Sequence, residues 1–239
     1  MVSKNWSNNV YYSLIGYEGL AFEDICSVKQ KPSWWEKLPV FVDGVSPQSF
    51  IQNNWDKIIR GRNGPITRRT IKSCPAASTF LSNSILVKFP SDLLIETSDT
   101  GEFIWKSFVD GFSVSHHNSN QVNDSHIQRD HIIIKFELPI VFQSDNNRWL
   151  FQDCLFEKVQ PYRCFNGVGS IKTVNKLNVV CAFPKINNKY YFEKGEPLCS
   201  VLFLDKFKAV KEKDLIKQYK RSMYKMTSTS VGTMNNRIS

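Results

Sequence analysis

The chain has 239 residues, 41% of them hydrophobic and 13% aromatic, with a formal net charge of +9. Those values suit one large or two small globular domains with a core that needs no disulfide scaffold, and no run approaches the roughly 18–20 apolar residues of a membrane-spanning helix. The opening MVSKNWSNNVYYSLIGYEGL lacks the charged, apolar and small-residue order of a signal peptide, so synthesis in a cytoplasm is expected.

In chain order, YYSLIGYEGLAFEDICSVK contains short β-prone pieces. In KPSWWEKLP, Pro32 and Pro39 bracket a helical turn whose Trp34 and Trp35 are expected to pin the segment to the main body. An amphipathic helix is expected over 46–60. Ser46 is its N-cap, Pro47 its first residue, and Phe50, Ile51, Trp55, Ile58 and Ile59 its apolar stripe, with Gly61 ending it. These residues make 1–69 an N-terminal segment docking on the main body.

From Thr70 the pattern changes to strands. STFLSNSILVKFPSDLLIET predicts two and GEFIWKSFVDGFSVS another pair. HIIIKFELPIVFQS predicts a long strand broken at Pro139, and WLFQDCLF, LNVVCAF and KYYFEKGEPLCSVLFLDKF the remainder. Turn signals separate them, among them Thr100-Gly101, Asp110-Gly111, Asn166-Gly167 and Lys194-Gly195. Strands at this spacing, with no strand-helix alternation, predict a mainly β domain over 70–204, an antiparallel sandwich or a β-clip-like barrel. A basic helix is expected over 205–226, from Phe207, Val210, Leu215, Ile216, Tyr219 and Met223. A polar tail, 227–239, comes last and would gain order on assembly.

The positive charge is concentrated. From Asp205 onward nine basic residues face three acids, and 57–72 carries six basic residues and no acid. Each segment is +6, so subtracting their twelve charges from +9 leaves −3 for everything else. Such segments suit an acidic protein face, phosphate or an anionic surface. The residues expected to meet a partner are Arg60, Arg62, Arg68 and Arg69 in the first, and Lys213, Lys217, Lys220 and Arg221 in the second. Neither has the aromatic interleaving of a single-strand binder or a helix-turn-helix.

The catalytic patterns fail one by one. All four histidines, His116, His117, His126 and His131, fall in one stretch, but none has an acid two residues on and none lies beyond 131, so a facial iron triad is excluded. The nearest approach to a metal site is His126 and His131 with Asp124 and Asp130, which reads as a solvated loop, with His117 and Gln121 bracing it by hydrogen bonds. There is no Gly-x-Ser-x-Gly, Gly-x-x-x-x-Gly-Lys-Ser or Gly-x-Gly-x-x-Gly. The acids Asp92, Glu96, Asp99, Glu102 and Asp110 read as solvent-facing strand ends and turns. The six cysteines contain no C-x-x-C pair. Cys154, Cys164, Cys181 and Cys199 lie in or beside apolar runs and are expected as buried, reduced thiols, and Cys74, before Pro75, as an extended packing residue.

Three stretches, KPSWWEKLP, TIKSCPAASTFLSNSILVKFPSDLLIE and FPKINNKYYFEKGEPLCSVLFL, resemble a poorly characterised family of tailed-phage proteins, notably of cyanophages. The matching features are Pro32 to Trp35, Cys74-Pro75, His117 to Gln121, and Gly195-Glu196-Pro197 leading into Leu198 to Leu204. The resemblance spans 30–205 and implies a phage origin without an activity. The closing strand is also similar to the end of the β-clip fold of deoxyuridine triphosphatases and phage head-decoration modules. CFNGVGSIKTV supplies Gly167 and Gly169 but no Arg-Ser-Gly loop, and Asp153 lacks the context of a water-activating acid. The expectation is therefore a non-catalytic virion structural or accessory protein, oligomeric, needing no cofactor and binding other virion proteins or itself. The alternatives are an early phage protein that binds nucleic acid or a host factor, and a degenerate nucleotide- or metal-dependent enzyme.

Overall fold

The computed structural model describes residues 8–15, 20–28, 33–40, 48, 52, 70–109, 112–117, 129–144, 148–154, 159–170, 175–203, 207–212 and 214–221. The chain divides into two compact units, 29–83 and the remainder. Most of the expected helix 46–60 lies outside the described residues; Gln48 and Gln52 are helical.

A short helix α1 (Phe22–Ile25) belongs to the larger unit. The smaller unit carries α2 (Ser33–Lys37), the turn expected between the two prolines. Trp35 is buried and Trp34 is 38% exposed. Thr70 ties back to this segment, its N–H donating to Val40 O at 3.0 Å and its hydroxyl to Pro39 O at 2.6 Å. A 3-10 turn, Ile71–Ser73, then leads into α3 (Pro75–Asn83). The change at Thr70 is thus to helix, not strand: Pro75 presets the backbone for a helix start, and Ala77 and Leu81 bury one side at i and i+4. Cys74 is extended, as Pro75 requires, but exposed and not a packing residue.

The larger unit is mainly β, with one sheet curled into a half-barrel. Its spine is β7 (His131–Ser144), which pairs along one side with β11 (Asn175–Pro184). On its other side lie β6 (Ser113–His116), against the first half, and β1 (Asn8–Leu14), against the second. β9 (Arg163–Cys164) extends the sheet beyond β11, and β14 (Phe207–Lys211) beyond β1. The break expected at Pro139 is a bulge within a continuous strand. Leu138, Pro139 and Ile140 lie against Leu177 alone, and on the other side Pro139 falls between the last residues paired by β6 and β1. The proline therefore forgoes little ladder bonding, and its carbonyl still accepts the Ile15 N–H at 2.8 Å.

A second sheet orders β10 (Gly167–Ser170), β8 (Arg148–Gln152), β13 (Pro197–Phe203), β3 (Ser84–Lys88) and β2 (Cys26–Val28). A third orders β12 (Asn188–Phe192), β4 (Leu93–Thr97) and β5 (Phe103–Ser107). Alternating burial along β4 and β12 sends Leu93, Ile95, Tyr190 and Phe192 into a core shared with β3, β7, β11 and β13. Its centre is aromatic. Phe136 meets Phe89 edge-on at 5.8 Å between ring centroids and Phe183 at 6.2 Å, while Phe89 stacks on Phe192 at 4.6 Å. The turns expected at Thr100-Gly101 and Lys194-Gly195 are present, and both glycines have positive φ, 94° and 87°.

Two expectations are corrected here. Residues 1–28 belong to the larger unit and not to an N-terminal segment 1–69: β1 pairs with β7 and β14, α1 buries Phe22 and Ile25, and β2 pairs with β3. The basic helix does not run from 205. Residues 207–211 form β14, parallel to β1, with Ala209 packed on the core and Lys208 and Lys211 exposed. Helix begins at 215, where Leu215 is fully buried against Val141. Phe207 and Val210 suggested a helical repeat, but the segment pairs in register along β1 as a strand.

Candidate functional site

Among the described residues, most of the exposed large apolar side chains of the larger unit, Val159 apart, lie on or beside the three-stranded sheet. β5 pairs with β4 alone among the described residues, so one edge carries unpaired backbone donors and acceptors. Its register aligns Tyr191, Leu94 and Lys106 in one row of the outer face and Lys189, Glu96 and Ile104 in the next. Ile104 is 67% exposed, Tyr191 60% and Phe108, just past the strand, 74%. Lys106 Nζ lies 5.2 Å from the Phe108 ring centroid, and Lys189 pairs with Glu96 at 2.9 Å. On the strand's inner face Phe103 packs on the core and meets His116 at a tilt, with 4.4 Å between ring centroids. Phe103, partly buried, anchors the inner face, where Trp105 is still 38% exposed, and the apolar side chains exposed on the outer face make β5 a sticky edge.

The basic residues expected to meet a partner are only partly described. Arg60, Arg62, Arg68, Arg69 and Lys213 lie outside the described residues. Lys217, Lys220 and Arg221 are exposed on the helix 215–221, and Lys217 pairs with Asp214 at 3.2 Å. Leu215 and Tyr219, one turn apart, hold the opposite side to the sheet, which is why the cations face solvent.

Among the described residues the histidines do not converge. His116 is on β6 against Phe103, His117 comes next with its N–H bonded to Ile133 O at 3.0 Å, and His131 opens β7 opposite Pro184. His126, Asp124 and Gln121 lie outside the described residues. Among the described residues no three histidine, cysteine or acidic side chains are placed to hold a metal ion. His131 Nδ1 is buried without a hydrogen-bond partner there.

The glycines Gly167 and Gly169 lie in β10 itself, paired with Phe151 and Trp149, so the turn expected at Asn166-Gly167 is a strand start and no phosphate cradle. Asp153 accepts the Cys164 N–H at 2.6 Å and acts as a backbone brace. The acids of the third sheet are also occupied: Asp92 accepts the Lys194 N–H at 2.8 Å, and Glu96 holds Lys189.

A second grouping was not anticipated. Cys154, Cys164, Cys181 and Cys199 are all buried, as expected, but they also converge with Tyr162 where the first and second sheets meet. Cys164 and Cys181 are direct cross-strand partners with sulfurs 3.3 Å apart. Cys164 Sγ also reaches Leu198 O at 3.5 Å, and the Tyr162 hydroxyl donates to the same carbonyl at 3.0 Å. Thiol donors at Cys181 and Cys199 hold the Cys164 thiol below its ordinary range, outweighing burial and the Asp153 carboxylate. Burial pushes Cys181, Cys199 and Tyr162 well up.

No helix among the described residues is long and apolar enough to cross a membrane. Comparison of the chain with protein-family profiles, with curated proteins and with solved structures finds no match.

Proposed function

We propose that this protein is a non-catalytic structural or accessory component of a tailed-phage virion, acting through contacts with other protein chains. The observation that carries this reading is β5. It is an open strand edge among the described residues, anchored from behind by Phe103, with Ile104 and Phe108 exposed in front. An edge of this kind accepts an extended strand of a partner protein: main-chain hydrogen bonds supply affinity, and alternate side chains supply selection. The exposed Lys217, Lys220 and Arg221 suit an acidic region of a partner. The phage assignment itself rests on the resemblance over 30–205.

Two measurements test the two halves of the proposal. Mass spectrometry of purified particles is expected to find the chain at many copies each; its absence overturns the virion role. Ile104→Asp combined with Phe108→Ser is expected to weaken association at least tenfold, read by sedimentation of the assembled species. Unchanged assembly overturns the role of β5.

A further inference from the structure

We propose that Cys164 and Cys181 form a peroxide-reactive dithiol site, with Cys164 the attacking sulfur and Cys181 the resolving one. The strand register places them together. Phe165 N–H donates to Val180 O at 2.9 Å, which makes Phe165 and Val180 a hydrogen-bonded pair and the adjacent Cys164 and Cys181 a non-hydrogen-bonded one. In such pairs the Cα atoms are about 4.5 Å apart, within the span a disulfide bridges. The sulfurs already sit 3.3 Å apart, so bond formation asks for side-chain torsion and no strand movement.

The two sulfurs differ in access. Cys181 is fully buried, whereas Cys164 is 7% exposed on β9, the outermost strand of its sheet and only two residues long. Arg163 and Pro161 beside it are exposed, and among the described residues β9 pairs with β11 alone, the Cys164 N–H being held in addition by Asp153. A short edge strand opens locally at low cost, which admits a small oxidant to Cys164 while leaving Cys181 inside. Cys181 and Cys199 supply thiol protons to the Cys164 sulfur, favouring the thiolate that reacts against the opposing effects of burial and the Asp153 carboxylate.

The oxidant is a peroxide. The Cys164 thiolate attacks one peroxide oxygen, the O–O bond breaks, and the departing oxygen takes a proton to leave as water, giving a sulfenic acid. Cys181 sulfur then attacks Cys164 sulfur. The S–O bond breaks, and hydroxide combines with the Cys181 proton as the second water. Two thiols lose two electrons to form one disulfide, and one peroxide becomes two waters.

The site is read by peptide mapping of the intact chain treated with hydrogen peroxide, alkylated and digested with trypsin without reduction. Trypsin places each of the four clustered cysteines on its own peptide, Cys164 in 164–172 and Cys181 in 177–185. The expected product is 164–172 linked to 177–185 as the main disulfide species, released by dithiothreitol. In Cys181→Ala the linked species is lost and a dimedone-reactive sulfenic acid accumulates at Cys164. The wild-type map needs no variant to fold. Any of three results overturns the proposal: both cysteines alkylated after peroxide treatment, Cys164 linked chiefly to Cys154 or Cys199, or stoichiometric metal bound to the purified protein with unreactive thiols.

Discussion

At the scale of single residues, the aromatic core and one capping carboxylate lead to direct measurements. Phe136 is fully buried and touches rings from four directions, Phe89, Phe112, Tyr162 and Phe183. Phe136→Ala leaves a cavity that a rigid β core cannot collapse, so a loss of about 3–5 kcal/mol is expected in urea denaturation. Asp24 closes the first turn of α1, accepting the Ala21 N–H at 2.7 Å and pairing with Lys194 at 2.9 Å. The Ala21 N–H first, and Lys194 second, hold its carboxyl below the usual range. A depressed folded value means the contribution is complete above the unfolded carboxylate value, about 3.9, and disappears as pH falls through the folded value. Asp24→Ala is therefore expected to cost about 1 kcal/mol at pH 7, with wild type and variant converging as pH falls through the folded value. Denaturation at pH 7 and through the acid range checks it. Single residues such as these were visible in the sequence as types. Phe136 stood in an apolar run, but nothing in that run named the four rings around it, because they come from segments distant in the chain.

Among the elements, β5 and the C-terminal helix show how far a local pattern can be read. The strand pattern of FIWKS was legible, and so was the Thr100-Gly101 turn before it. That it is an edge was not, because edge status depends on which strand fails to arrive on the other side. Ile104→Asp with Phe108→Ser touches only exposed positions, so stability is expected to stay within about 0.5 kcal/mol while association falls. A thermal melt beside the sedimentation experiment separates those effects. The described part of the helix, 215–221, rests on Leu215, fully buried against Val141. That contact fastens it to the sheet, so Leu215→Ala is expected to release it, with amide exchange of 216–221 rising at least tenfold while β7 stays protected. Reading 205–211 as helix failed for a physical reason: a lone charged strand has no stability of its own, and the open edge of β1 stabilised it.

For the whole molecule, the division at 29–83 is the main architectural result. β2 and β3 are antiparallel neighbours, with Val28 opposite Ile85 and Cys26 opposite Val87, so the smaller unit is an insertion between two paired strands. Its two ends leave and re-enter the larger unit at adjacent backbone positions. Replacing 29–83 with a short Asn-Gly turn is expected to leave the larger unit folded, seen as one cooperative thermal transition with retained β circular dichroism. Loss of cooperativity would show that the insertion is integral to that fold. The sequence by itself determined the mainly β class, most of the longer strands between 84 and 203, the glycine turns at 101 and 195 and the buried character of four cysteines, because alternation, φ requirements and apolar runs are local properties. Only the tertiary structure decided that β1 and β14 lie side by side, that β7 bulges and continues through Pro139, that β5 is an open edge among the described residues, and that Cys164 faces Cys181. Each of these depends on which distant segments pair and in what register, and register is set by the joint burial of many side chains in one core.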